Sequence, residues 1–461
     1  MKEDEREPDS ADPVENDPVI LEFVYSADHL HHEPTEYFNG NQACMRPHPE
    51  SPARALALRE AALAHGLREY TPRIRVTLEE LVAVHDPTFL ELIRIAGEAA
   101  GDLDQFPAGR LYPDSFAVRP PLIPLSPAIM PVDSPAEMHA TMLAERDPDL
   151  YPEMYAESSG RVSGNQTPDN QTPDNQISEE HAGGSPDNRD RDSDDHAVDA
   201  VSSILRSSNG TGPAGIRPTT REIAAALGFY CSDTETPLSP GTGRAIRSAA
   251  ACALTAAGIV LDGYRGVYAL CRPPGHHAGH DSFGGYCYLN NAALAAERLS
   301  RAGRAAVLDI DYHHGNGTQE IFYGTDTVFF ASIHAAGPSA YPHYWGSTAE
   351  IGTGRGRGFT RNFPVPPTIT EEEYCRVTAD ALQVVRRSRP EFLVVSLGFD
   401  THRDDPVAGL CLTESGYRRI GGMIAEAGLP CVIVQEGGYG VEALGLSLRA
   451  FLAGINGRDM L

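Results

Sequence analysis

The segment RAAVLDIDYHHGNGTQEIFY, residues 304–323, decides how the rest of the chain is read. A mainly apolar run, 305–310, broken only by Asp309, stops abruptly at Asp311-Tyr312-His313. A short run without polar alternation predicts a strand buried on both faces, as in a parallel sheet. Its polar ending then falls at the carboxyl end of the strand, where open α/β sheets bind ligands. Three other stretches repeat the pattern. VYALCRPPG (267–275) leads into His276-His277, FLVVSLGF (392–399) into Asp400, and CVIVQEGG (431–438) into Tyr439. Four such endings predict side chains delivered to one rim.

Outward from these runs the alternation continues. Apolar stretches at 265–270, 305–310, 327–333, 392–397 and 430–435 alternate with helix-like stretches at 242–258, 287–302, 371–388, 413–427 and 440–453. This predicts an α/β fold with helices on both faces of a mainly parallel sheet. The Pro-rich NFPVPPT (362–368) reads as a loop. Further upstream, VILEFVY (19–25) is a strand candidate, and residues 52–65 and 77–99 have helical spacing. Thr77 with Glu80 forms a capping box, and Pro87 splits the second segment.

The chemistry at the rim follows from residue type. Asp311, His313 and Asp400 offer two carboxylates and an imidazole, a donor set suited to Zn²⁺ with one position open, and acceptable to Fe²⁺, Co²⁺ or Mn²⁺. Along an extended segment, Asp-x-His places both side chains on one side. A lone Asp-x-His is more often a helix cap beside a hydrogen-bonded His. Here the other three strand ends favour a ligand set. The Pro-Pro-Gly turn aims His276 and His277, residues suited to acid–base work near neutral pH. Asp309 and Asn316 can each orient one imidazole through its other ring nitrogen. The phenol of Tyr439 can donate to an oxyanion.

Composition narrows the partners. The formal net charge of −27 argues against nucleic acid, which needs clustered Lys and Arg, and is compatible with a cationic substrate. No run of membrane-spanning length is expected. The eight cysteines include no CxxC pair, and the acidic N-terminus is unlike a signal peptide, so a reducing, cytoplasmic location is expected. Residues 1–17 read as a disordered acidic tail, and residues 18–461 as one catalytic domain. A low-complexity insertion at about 125–215, carrying a tandem NQTPD (165–174), interrupts that domain because it has too little apolar area to fold.

Taken together, RPPGHHA, FGGYCYLNNAA, LDIDYHHGNGTQEIFY, VVSLGFDTHRDDP and EGGYG resemble the histone deacetylase superfamily, in particular its bacterial acetylpolyamine amidohydrolases. The resemblance spans Val19 to Pro124 and Pro218 to Gly457. It implies an arginase/deacetylase-like fold and a zinc-dependent amidohydrolase. Zinc would sit on Asp311, His313 and Asp400. His277 would be the general base and then acid, His276 its electrostatic partner, and Tyr439 the carbonyl polariser. Tyr286 and Tyr341 would line an acyl-lysine-like tunnel. Asp309 and Ser332 would hold a structural K⁺. Glu235 would meet the distal ammonium of an acetylated polyamine, and the insertion would pair two subunits into a homodimer.

The chain departs from the pattern in two places. The insertion is far longer, and a second acidic position falls at Ala224, with Glu222 only nearby. An acyl-lysine protein deacetylase is the alternative. A two-metal ureohydrolase fits poorly, because Gly315 stands where a further ligand Asp is needed. A non-catalytic binder fits poorly because every catalytic group is present.

Overall fold

The apolar runs form the strands of an eight-stranded sheet in which every pairing is parallel. The structure is a computed structural model that describes residues 18–34, 36–38, 45–72, 74–100, 219–337 and 340–457. The acidic tail at 1–17 and the insertion at 125–215 lie outside these residues. The described residues belong to one compact unit.

In chain order the strands are β1 (Ile20–Val24), β2 (Glu36–Phe38), β3 (Met45–Pro47), β4 (Arg68–Tyr70), β5 (Gly266–Ala269), β6 (Ala305–Asp309), β7 (Val328–Ala335), β8 (Thr360–Val365), β9 (Phe392–Leu397) and β10 (Cys431–Gln435). The large sheet runs β4-β1-β5-β10-β9-β6-β7-β8, while β2 and β3 form a separate antiparallel pair. The four strands that carry the polar endings, β5, β10, β9 and β6, are therefore neighbours at the centre of the sheet. Their ends are level, with Val434 opposite both Ala269 and Ser396, and Ser396 opposite Asp309.

All residues of β5, β6, β7 and β10 are buried, and alternate side chains enter two cores. On one face Val267, Ala305, Val307, Val394 and Val432 meet helices α3 (Pro87–Ala99), α4 (Thr220–Tyr230), α5 (Thr242–Leu261) and α6 (Asn291–Ser300). On the other, Tyr268, Ala306, Leu308, Leu393 and Ile433 meet α1 (Pro52–Ala64), α8 (Glu371–Arg387), α9 (Glu414–Glu426) and α10 (Val441–Ile455). Each fully buried Val or Leu contributes about 1.5–3 kcal/mol, so both cores favour the same register. Two short helices, α2 (Leu78–Val82) and α7 (Asn316–Phe322), complete the described set.

Local signals hold where capping chemistry is explicit. Thr77 and Glu80 form the capping box of α2. Pro87 opens α3, with Asp86 Oδ1 accepting from Thr88 N and Phe89 N at 2.8 and 3.0 Å. Two expectations are corrected. NFPVPPT is not wholly loop, since β8 includes Thr360–Val365. Pro364 lies on an edge strand, where a missing ladder N–H is tolerated. The strand before the Asp-x-His ends at Asp309, so Asp311 and His313 converge through a loop and not through strand alternation. By length and composition α5 could cross a bilayer, although Arg244 and Arg247 interrupt its apolar residues; 67% of its most apolar stretch is buried inside the protein, so its apolar surface is used in packing.

Candidate active site

Beyond the central strand ends, one donor atom each from Asp311, His313 and Asp400 lies within 4.8 Å of the others. His313 Nδ1 is 3.2 Å from Asp311 Oδ1 and 3.1 Å from Asp400 Oδ2. The other carboxylate oxygens are committed to the backbone: Asp311 Oδ2 accepts from Gly437 N at 2.8 Å, and Asp400 Oδ1 from Tyr312 N at 2.9 Å. Gly437 is required by close approach. A Cβ there would fall 2.3 Å from Asp400 Oδ2 and 2.6 Å from Asp311 Oδ2.

The electrostatics of this group fit a cation. Burial raises Asp400 to about 7, and the Asp311 charge adds to the effect. Burial would also raise Asp311, but His276 and His313 outweigh it and hold that carboxyl well below the usual range. His313 is lifted to about 9 because Asp311 and Asp400 outweigh its burial. Two fully buried carboxylates facing one imidazole need positive charge, and the oxygen–oxygen–nitrogen donor set suits a zinc-type ion.

The paired histidines lie beside this group with ring centroids 4.0 Å apart. His276 Nδ1 is 3.0 Å from Asp309 Oδ2, and His277 Nδ1 is 2.8 Å from Asn316 Oδ1 at the start of α7. One partner is a carboxylate and the other a neutral amide, so the two rings differ. His276 is raised to about 10 because Asp311 and Asp309 overcome its burial. His277 is pushed well below the ordinary histidine range by burial, then by the charges of His276 and His313. Opposite shifts in adjacent groups mark a division between proton holder and proton acceptor.

Aromatic residues form the walls. Tyr341 meets His277 edge-on at 4.8 Å, and Tyr286 meets Tyr439 edge-on at 5.6 Å. Gly285 (φ +57) is needed here, because a Cβ would lie 2.3 Å from the His277 ring. Burial raises the Tyr439 phenol well above its usual value, so it keeps its proton. Glu235 reaches the wall, with Oε2 accepting from the Tyr286 hydroxyl at 3.3 Å. Burial and the nearby Asp233 raise its carboxyl. Asp309 and Ser332 are register partners on β6 and β7, and Ser332 Oγ lies 2.9 Å from His334 Nδ1. Glu222 faces away from this role, since its carboxylate completes the capping box of α4.

Several supporting residues escaped the sequence reading. Glu436 Oε2 accepts from Gly275 N and His276 N at 2.7 and 3.1 Å, holding the turn that aims the histidines. Arg54 lies over the Tyr439 ring at 4.7 Å, donates to Gly438 O and Glu436 O, and pairs with Glu50. Asp233 Oδ1 accepts from Thr236 Oγ1 at 3.0 Å, and its Oδ2 from the Tyr341 hydroxyl at 3.2 Å. Arg54, on α1, and Glu436, in the loop after β10, are charged residues that are fully buried, and burial is not visible in a sequence. Gly315 also bears on the two-metal alternative. A Cβ there would lie 2.1 Å from Asp309 Oδ2, leaving no room for a further ligand.

Comparison with known proteins places this geometry among relatives. The histone deacetylase domain family matches residues 48–455. The chain is 44% identical over 238 residues to the acetylpolyamine amidohydrolase of Mycoplana ramosa, covering 51% of this chain and 70% of that one. It is 45% identical over 242 residues to acetylpolyamine amidohydrolase 1 of Pseudomonas aeruginosa, covering 52% and 70%. The crystal structure of acetylpolyamine aminohydrolase from Burkholderia pseudomallei superposes with a TM-score of 0.65 at 31% identity, covering 94% of this chain and 98% of that one. The HDA15 HD domain shares the fold, with a TM-score of 0.61 at 21% identity, covering 96% and 91%.

Proposed function

Since this chain belongs to the histone deacetylase family and is a deacetylase enzyme, we propose that it hydrolyses the amide of small, cationic acetylated amines of the polyamine type, using a zinc-type metal ion. The observation that carries this reading is the convergence of Asp311, His313 and Asp400 beside two histidines of opposite proton affinity. The names of the Mycoplana and Pseudomonas relatives support the substrate class.

A cation held by Asp311, His313 and Asp400 would supply Lewis-acid polarisation of the amide carbonyl and of an attacking water. The protein supplies the proton traffic. His277 donates Nδ1–H to Asn316 Oδ1, which leaves the Nε2 lone pair free. That nitrogen takes the proton as water attacks the acetyl carbon. His276 donates Nδ1–H to Asp309, and the charge it keeps disfavours a second charge on His277 before attack. Tyr439, still protonated, donates its hydroxyl hydrogen to the developing oxyanion. His277 then passes the proton to the leaving nitrogen, since an amine leaves poorly as an anion. Acetate and the free amine depart.

Tyr286 and Tyr341 give this reading an aromatic slot, with Glu235 as the carboxylate facing the far ammonium. A K⁺ ion near Asp309 and Ser332 and a homodimer belong to the same reading, checked by monovalent-cation dependence and by sedimentation. The deciding experiment is a substrate panel: acetate release from N-acetylputrescine, acetylspermidine and an acetyl-lysine peptide, with and without chelator. Chelator-sensitive turnover of the acetylpolyamines, with a raised KM in Glu235→Gln, is expected. Equal turnover of the peptide, with Glu235→Gln unaffected, would replace this reading by an acyl-lysine deacetylase.

A further inference from the structure

We propose that Asp405 is a positioning residue, whose carboxylate ties the loop bearing Asp400 to the loop bearing Tyr439 and so fixes where the Tyr439 phenol sits. The inference rests on the reading of Tyr439 as oxyanion donor. Asp405 stands on the loop after β9, is 9% exposed, and uses both oxygens twice. Its Oδ1 accepts from Val407 N at 2.9 Å and Ala408 N at 3.2 Å, which closes its own turn. Its Oδ2 crosses to the loop after β10 and accepts from Tyr439 N at 2.6 Å and Gly440 N at 3.1 Å. Hydrogen bonds to an ionised acceptor are roughly twice as strong as neutral ones.

The tie acts at the backbone of the reacting residue itself. Other contacts hold the two loops in register around it. Phe399 N donates to Gly437 O at 3.1 Å between the two loops, and within the first loop Gly409 N donates to Asp400 O at 3.0 Å. A Cβ on Gly438 would fall 2.7 Å from Phe399 Cβ, so the loops are already in close contact. Tyr439 is thus gripped from two sides: Arg54 holds the carbonyl before it at 2.5 Å and covers its ring, while Asp405 holds its N–H. Of these two, Asp405 stands on the loop that carries Asp400. Four converging N–H donors also explain the residue type. An amide of the same shape would turn a donor NH₂ towards two of them.

Asp405→Asn, Tyr439→Phe and the double variant test the tie, each measured for kcat, KM and bound metal on an acetylated polyamine. Asp405→Asn is expected to lower kcat by about 10²-fold, the scale of a small misplacement of a reacting group. KM and metal content should stay unchanged, and the substitution should cost nothing further in the Tyr439→Phe background. If Asp405→Asn does not fold, Asp405→Glu replaces it: the charge is kept, the added methylene shifts the carboxylate relative to Tyr439 N and Gly440 N, and the same kinetic signature is expected. Wild-type kcat in the variant used, or additive losses in the double variant, overturns the positioning role alone. Undiminished activity of Tyr439→Phe refutes the oxyanion role and this proposal with it.

Discussion

Gly437→Ala should weaken metal binding without adding or removing any charge. The added Cβ would lie 2.3 Å from Asp400 Oδ2 and 2.6 Å from Asp311 Oδ2. An ordinary non-bonded contact is about 3.5 Å, so each carboxylate must retreat by about 1 Å or tilt the loop. Neither carboxylate can move cheaply. Asp311 Oδ2 is bound to Gly437 N, Asp400 Oδ1 to Tyr312 N, and Asp400 Oδ2 faces His313. Metal–ligand distances tolerate only about 0.2 Å, so the disturbance exceeds what a bound ion absorbs. Disturbance of groups that orient ligands costs about 10–100-fold in metal affinity, or about 1.4–2.8 kcal/mol. Titration of apo-protein with Zn²⁺ against a chromogenic chelator measures it, with circular dichroism confirming the fold. A folded Gly437→Ala protein with wild-type affinity would show that the cation does not sit between these carboxylates.

The remaining predictions separate the groups of the site. Asp400→Asn should abolish both bound metal and turnover, and activity retained by that variant removes the metal assignment. His277→Ala should lower kcat by more than about 10²-fold while metal content stays at the wild-type level, as an acid–base group requires; a loss of metal would make it a ligand instead. Stability should fall on acidification. Burial, the first cause in each case, holds His29 at about 3 and His85 and His334 at about 4. The unfolded chain takes up those protons near 6.5, so protonation favours unfolding as pH drops from 6.5 towards 4. Each such histidine then withdraws about 1.4 kcal/mol per pH unit. Thermal melts at pH 7 and pH 5 check this, and an unchanged slope in His85→Gln would remove His85 from the account.

The central strands were legible because a strand buried on both faces leaves a largely apolar run with no polar alternation. RAAVLDI, FLVVSLGF and CVIVQEGG needed no context to be read. In the large sheet the strands that escaped, β4 and β8, are its two edges, and the separate short pair β2 and β3 escaped as well. Arg68–Tyr70 is exposed throughout and shows no apolar pattern, while β8 contains a proline that only an edge accepts. The helix expected from residue 287 begins at Asn291, because the apolar CYL before it mimics helix spacing and the cap, Asn290 accepting from Ala293 N, lies inside the run. At the site, the residues that would meet the chemistry were readable by type. Those that hold them were not: Arg54 reaches Gly438 across 384 positions, and Asp405 reaches Tyr439 across 34. No local spacing encodes partners that only the sheet order brings together.

That order also has a consequence for synthesis. Among the described residues β10 is the last strand made, yet it lies between β5 and β9. Until residues 431–435 leave the ribosome, β4-β1-β5 and β9-β6-β7-β8 have no shared edge. His276 and His277 follow one half-sheet, and Asp311, His313 and Asp400 follow the other. The nascent chain therefore has its histidine pair and the Asp311, His313 and Asp400 group in separate halves, which are joined only once residues 431–435 have been made. Each half also exposes an apolar inner strand, β5 or β9, during that interval, and such open edges invite pairing with the wrong partner.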